Sequence, residues 1–170
     1  MEIAPTLIVL PTLWVYRQRW TITPLLVILI GWHGLVLMLG GAYTYARVPF
    51  GFALQDWLRL TRNPYDRFGH LMQGFVPAIA FREMLIRGGG LRRGWMLRGL
   101  VLACALTVSA AYELIEFGAA MALGQGADEF LGTQGDPWDT QWDMLCCLTG
   151  AVLALMLLSR LHDRLLDRLP

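Results

Sequence analysis

Residues 22–46 form an apolar run long enough to cross a lipid bilayer. A run of about 20 such residues leaves few alternatives to a helix, because every backbone N–H and C=O in hydrocarbon must be paired within the chain. Four more apolar segments accompany it, at 3–16, 65–86, 95–122 and 140–159. The expected fold is all-α, a polytopic transmembrane helical bundle. It has about five spans, or four plus an interfacial segment, since 3–16 is short for a crossing. Between the second and third segments, 47–63 reads as a short interfacial helix anchored by Phe50, Phe52, Leu54, Trp57 and Leu58.

Composition agrees with a membrane protein. The chain is 56% hydrophobic and 16% charged, with mean hydropathy +0.49, where a soluble domain is about 45–50% apolar and about 25% charged. Its 170 residues suit one integral membrane domain, 1–170. A net charge of +1 gives no footing for nucleic acid, so the lipid bilayer is the expected partner. The N-terminus lacks a basic n-region and a small-residue cleavage site, and is read as part of the mature protein. Cys104, Cys146 and Cys147 lie in apolar segments without CxxC spacing, and read as small buried hydrophobes.

All 14 basic residues are arginine. Arg17 and Arg19, then Arg82, Arg87, Arg92, Arg93 and Arg98, then Arg160, Arg164 and Arg168 fall on one side of the bundle. Arg47, Arg59, Arg62 and Arg67 fall on the other. The arginine-rich side should be cytoplasmic, which places the C-terminus inside. Acidic residues are biased the opposite way: Asp66, Glu113, Glu116, Asp128, Glu129, Asp136, Asp139 and Asp143 gather near the outer face. Topology does not require this, because Asp and Glu contribute little to orientation.

Two helix starts repeat a pattern, 63-NPYDRFGH-70 and 136-DPWDTQWD-143. Asn63 and Asp136 read as N-caps, Pro64 and Pro137 as first helical residues, and Asp66 and Asp139 as third-position carboxylates facing the helix dipole. Tyr65 and Trp138 fit an aromatic belt. Capping does not account for His70 and Asp143, about 6 Å deeper. The i, i+4 spacing puts Asp66 with His70, and Asp139 with Asp143, on single faces, and Gln73 and Gly150 continue those stripes. Segment 95–122 adds Ser109, Tyr112, Glu113 and Glu116 on one face. Three helices thus aim Asp66, His70, Glu113, Glu116, Asp139 and Asp143 at one level.

Ionisable groups inside a span are expensive, and crowded carboxylates repel. Arg62 and Arg67 offset part of the charge, and one divalent metal meets the rest: carboxylates with one imidazole suit Mg²⁺, Mn²⁺, Fe²⁺ or Zn²⁺. The expectation is an acidic periplasmic pocket, with those six residues as metal ligands or general acid/base groups in an enzyme on a lipid or envelope substrate. The glycine-rich loop 123–136 would present Gly132, Thr133, Gln134, Gly135 and Asp136 to an anionic headgroup, beside Arg62, Arg67 and Gln73. Two other readings stand beside it: a non-catalytic structural carboxylate network, and an ion or solute transporter with a route past His33. His33 itself reads as a satisfied bundle histidine. Glu83 and Arg87 read as an i, i+4 pair, and His162, Asp163 and Asp167 as a solvated tail.

The strings YDRFGHLMQGFVPAIAFRE, YELIEF and ADEFLGTQGDPWDTQWDM resemble the bacterial inner-membrane family typified by YjdF, over roughly residues 20–160. The resemblance implies an inner-membrane location and no particular reaction. More remotely, the pattern is similar to VanZ-like membrane proteins, which carry an Asp-Lys-x-x-His helix start, a later Glu-x-x-Gln and a final Asp-rich helix. Here Asp66 is followed by Arg67, and Glu116 stands where a Gln would.

Overall fold

The computed structural model describes residues 11, 21–123 and 133–169. Whether segment 3–16 crosses the membrane lies outside the described residues, as do Gly132, Asp128 and Glu129. Five helices follow in chain order: α1 Pro24–Tyr43, α2 Pro49–Leu58, α3 Tyr65–Arg87, α4 Trp95–Leu123 and α5 Asp139–Leu166. No strand occurs among the described residues.

Helices α1, α4 and α5 are long and apolar enough to cross a membrane. Thr23 starts α1, its hydroxyl accepting from the Leu26 amide at 3.4 Å, with Pro24 in the first turn. The expected short helix is α2, which leaves Phe50, Phe52, Trp57 and Leu58 exposed. The last helix runs past the expected end at 159 to Leu166.

The polar helix α3 is the hub. Its 23 residues reach about 35 Å, long enough to span. It packs most extensively on α5, and also on α4 and α1. Asp66, Arg82 and Glu83 are buried there, so its charges face protein rather than lipid. Helices α3 and α5 run parallel: Asp66 and His70 lie beside Asp143, and Arg82 and Glu83 beside His162. Lipid is as apolar as leucine, so close packing of small residues holds such helices together. The seam is built from Gly74, Ala78, Ala151 and Ala154, with Ala105 of α4 against Cys147, in a core completed by Ile79, Leu97, Val101 and Leu155. A Cβ on Gly74 would overlap the Cys147 carbonyl oxygen, and one on Gly150 the Leu71 carbonyl oxygen. Only glycine permits that approach.

Where α3 and α5 end, His162 of the supposed solvated tail belongs to a buried network, while Asp163 is half-buried and Asp167 is exposed as expected. His162 is fully buried, and Arg82 Nη1 donates to its Nδ1 at 2.9 Å. The imidazole Nε2 therefore carries the proton and donates to Glu83 Oε2 at 3.0 Å. Glu83 also accepts from the Thr23 hydroxyl at 2.8 Å, the Thr23 amide at 3.1 Å and, as the i, i+4 reading expected, Arg87 at 3.2 Å. Arg82 also donates to Asp163 at 2.7 Å, and Arg93 bridges Asp163 and Asp167. The correction is legible in the period: Ala151, Ala154, Leu155, Leu158, His162 and Leu166 form one helical stripe, so His162 continues the core face.

Asp167, just beyond α5, is held below its ordinary pKa by the hydrogen bond from Arg93. A depressed carboxylate contributes stability above its unfolded value of 3.8, and that contribution is lost as pH falls through the folded value. Thermal unfolding of detergent-solubilised protein should therefore show wild type slightly above Asp167→Asn at about pH 6, with the gap closing near about pH 3.

Candidate metal centre

The twin helix starts fold alike. Asn63 Oδ1 accepts from the Tyr65 amide at 3.0 Å, and Asp136 Oδ1 from the Trp138 amide at 2.9 Å, each turning the chain across its proline. The helices proper begin at Tyr65 and Asp139, so Asp66 is the second helical residue and Asp139 the first, rather than both third. Trp138 is exposed as an aromatic belt requires, but Tyr65 is not: it is buried, and its hydroxyl donates to the Val36 carbonyl at 2.9 Å.

Arg62 ties the two starts together. Its guanidinium pairs closely with Asp139, reaches Asp66 at 3.4 Å and donates to the Thr133 carbonyl at 3.3 Å. Arg67 bonds Asp136 at 2.6 Å and lies over the Trp142 ring at 5.3 Å. Gln134 clasps Asn63 reciprocally, its Oε1 accepting from the Asn63 amide at 3.0 Å and its Nε2 donating to the Asn63 carbonyl at 3.1 Å. Gln134 and Gly135 make this turn at positive φ, 49° and 83°. The described part of the expected headgroup loop is thus a latch between the helix starts.

One turn deeper, Asp66, His70 and Asp143 converge. Each offers one ligand atom, and these lie within 4.8 Å of one another. His70 Nδ1 meets Gln73 Oε1 at 2.9 Å, so Nδ1 carries the proton and Nε2 presents a lone pair. That lone pair faces Asp66 Oδ1 at 3.9 Å and Asp143 Oδ2 at 3.9 Å. Both gaps are too long for a hydrogen bond. Both fit within about 4.4 Å, twice a typical metal–ligand bond. Glu113 Oε1 of α4 stands 4.0 Å from Nδ1. Glu113 Oε1 and Asp143 Oδ1 are buried and have no hydrogen-bond partner among the described residues.

The six residues predicted to share one level divide into two groups. Asp66, His70 and Asp143 form the centre, with Glu113 at its edge. Asp139 belongs with Arg62, and with Glu113 and Glu116 it walls a neighbouring pocket of ≈ 110 Å³, completed by Phe117, Ala120, Thr133 and Thr140. Sequence reading missed Thr140, which lies in the first turn of α5 and gives no signal beyond its proximity to Asp139. The Nε2 of His33, expected to be a satisfied bundle histidine, is buried with no hydrogen-bond partner among the described residues. The three cysteines are free.

A helical membrane bundle with a buried carboxylate–imidazole centre near one end is the class these features define. The chain belongs to the family described as "Predicted membrane protein (DUF2238)", which matches residues 1–164. It is similar to the inner membrane protein YjdF of Escherichia coli (strain K12), 54% identical over 168 residues, covering 99% of this chain and 80% of that relative. The family resemblance carried by the sequence strings is thereby borne out. No solved structure matches the chain.

Proposed function

We propose that Asp66, His70 and Asp143 hold one divalent cation, and that the protein is a metal-dependent enzyme on a lipid-linked or other envelope substrate. The orientation follows from arginine asymmetry: site toward the periplasm, C-terminus in the cytoplasm. One observation supports the metal above all. Two carboxylates stand 3.9 Å from a single imidazole lone pair, beside buried oxygens of Asp143 and Glu113 with no hydrogen-bond partner among the described residues. A structural network satisfies its buried groups, as the Glu83–His162 network does at the far end.

Two carboxylates and one imidazole suit Mn²⁺, Fe²⁺ or Zn²⁺, with Mg²⁺ also accommodated. Gln73 supplies the outer partner that fixes a ligating histidine's tautomer. A cation held there would polarise a substrate oxygen or activate a bound water. Arg62 orients Asp66 through its 3.4 Å contact, and Glu113, bordering both centre and pocket, is placed to accept or return a proton. Between this site and the far network lies the tight apolar packing of Ala78, Ile79, Val101, Ala105, Ala151 and Ala154, which suits a one-sided pocket better than a transport route.

Elemental analysis of protein purified without chelator, with metals supplied, tests the reading. The expected result is one divalent ion per chain in wild type, lost in His70→Ala and in the near-isosteric Asp143→Asn. A well-folded wild type free of metal would falsify the assignment.

A further inference from the structure

The arginine-rich end of the bundle carries more positive charge than it neutralises. Its acidic residues, among those described, are Glu83, Asp163 and Asp167, and Arg87, Arg82 and Arg93 take all of them. Arg92, Arg98, Arg160, Arg164 and Arg168 are exposed and have no acidic partner among the described residues. Orientation in the membrane does not ask for this, because arginines set it whether or not each is paired. Arg160 and Arg164 are the sharpest case. They stand at i, i+4 on the exposed face of α5, where like charges repel. Asp163, between them in sequence, is turned away to Arg82 and Arg93. Toward the middle of the helix the same face becomes apolar. Leu153, Met156 and Leu157 share it at helical spacing and are 36%, 74% and 67% exposed. Acyl chains alone would cover the apolar part, and small ions alone the basic part. The two in register on a helix long and apolar enough to cross a membrane match one molecule with an anionic head and an apolar tail.

We infer that this face of α5 binds an anionic phospholipid, its phosphate between Arg160 and Arg164 and an acyl chain along Leu153, Met156 and Leu157. The lipid belongs to the leaflet around this end, the cytoplasmic one in the orientation proposed above. A guanidinium offers paired N–H donors that match phosphate oxygens. A zwitterionic lipid has the same phosphate but brings its own cation, which the two unneutralised arginines disfavour. A bound anion relieves the repulsion between Arg160 and Arg164 and leaves the pairs of Arg82 and Arg93 intact. Arg168, four residues beyond Arg164 and just past the end of α5, is placed to add a third charge. The inference is independent of the enzyme reading, because it concerns the opposite end of α5 from Asp143.

Native mass spectrometry of the delipidated protein in detergent counts retained lipid directly. The probes are dilauroyl phosphatidylglycerol and dilauroyl phosphatidylcholine, offered together, and inorganic phosphate. Wild type should retain the glycerol lipid roughly tenfold or more over the choline lipid, as expected for two arginines at an anionic headgroup. The preference should shrink as ammonium acetate is raised from about 0.1 M to about 1 M. Arg160→Gln with Arg164→Gln should abolish most of it, and lysine at both positions should keep much of it. Arg92→Gln with Arg98→Gln removes as much charge from the same end of the bundle and should leave the preference nearly whole. Equal retention of the two lipids by wild type overturns the inference without recourse to any variant. Equal loss in the two glutamine pairs overturns it as well, since the preference would then belong to net charge rather than to this face. So does displacement of the lipid by inorganic phosphate, which would leave the apolar stripe without a part.

Discussion

Gly150→Ala and Gly74→Ala should each lower the midpoint of thermal unfolding by about 2–12 °C. The figure follows from overpacking at about 1–3 kcal/mol or more, and about 2–4 °C per kcal/mol for a chain of this size. An alanine Cβ at either position meets a backbone carbonyl, of Leu71 or of Cys147, and backbone cannot swing aside as a flexible side chain would. Helices α3 and α5 must separate instead. Leu71 adjoins His70, so separation also opens the space between His70 and Asp143, and bound metal should fall together with stability. Gly99→Ala on α4 is the control: nothing lies within 4 Å of its added Cβ, and alanine's better helix propensity should leave it neutral or stabilised by up to about 1 kcal/mol. Equal loss in all three variants would mean that the seam has no special role.

Glu83→Ala should destabilise the protein by about 3–5 kcal/mol, the usual effect of stranding the partners of a buried charge. Its carboxylate receives Thr23, His162 and Arg87, joining the start of α1 to the ends of α3 and α5. Removing it leaves the Nε2–H of the fully buried His162 without its acceptor, although Arg82 keeps Asp163. Glu83→Gln keeps the volume and an acceptor, and should fall between alanine and wild type. Denaturant or thermal unfolding in detergent orders the three proteins. Metal content should be unchanged in Glu83→Gln, because the network lies at the other end of α3 from His70.

Much of this was readable from residues. The apolar runs located α1, α4 and α5, and i, i+4 spacing placed Asp66 with His70. The repeated helix starts announced two parallel helices with ligand-type side chains at one depth. Limits appeared where neighbours in space, not in sequence, decide. Asp139 and Asp143 share a face, yet Arg62 claims one and leaves the other to His70. Glu116 shares the Glu113 face but lines the pocket rather than the centre. Tyr65 has the chemistry of an interfacial anchor, but the Val36 carbonyl and the rings of Tyr45 and Phe68 hold it inside. His162 was hidden by its charged neighbours, although its place on the Ala151–Leu166 stripe marked it as buried.

The polarity of α3 also has a consequence for biogenesis. Arg82 and Glu83 on this helix find partners in Asp163 and His162, about 80 residues downstream, and Arg62 beside it reaches Asp139 over 77. At a synthesis rate of about 5–20 residues per second, those partners emerge roughly 4–16 s after α3 itself. Throughout that interval the helix is too charged to settle in lipid by hydrophobicity. Its lodging in the membrane should therefore await α5, so that a ribosome stalled before residue 139 holds a chain whose third helix is still exposed to proteolysis.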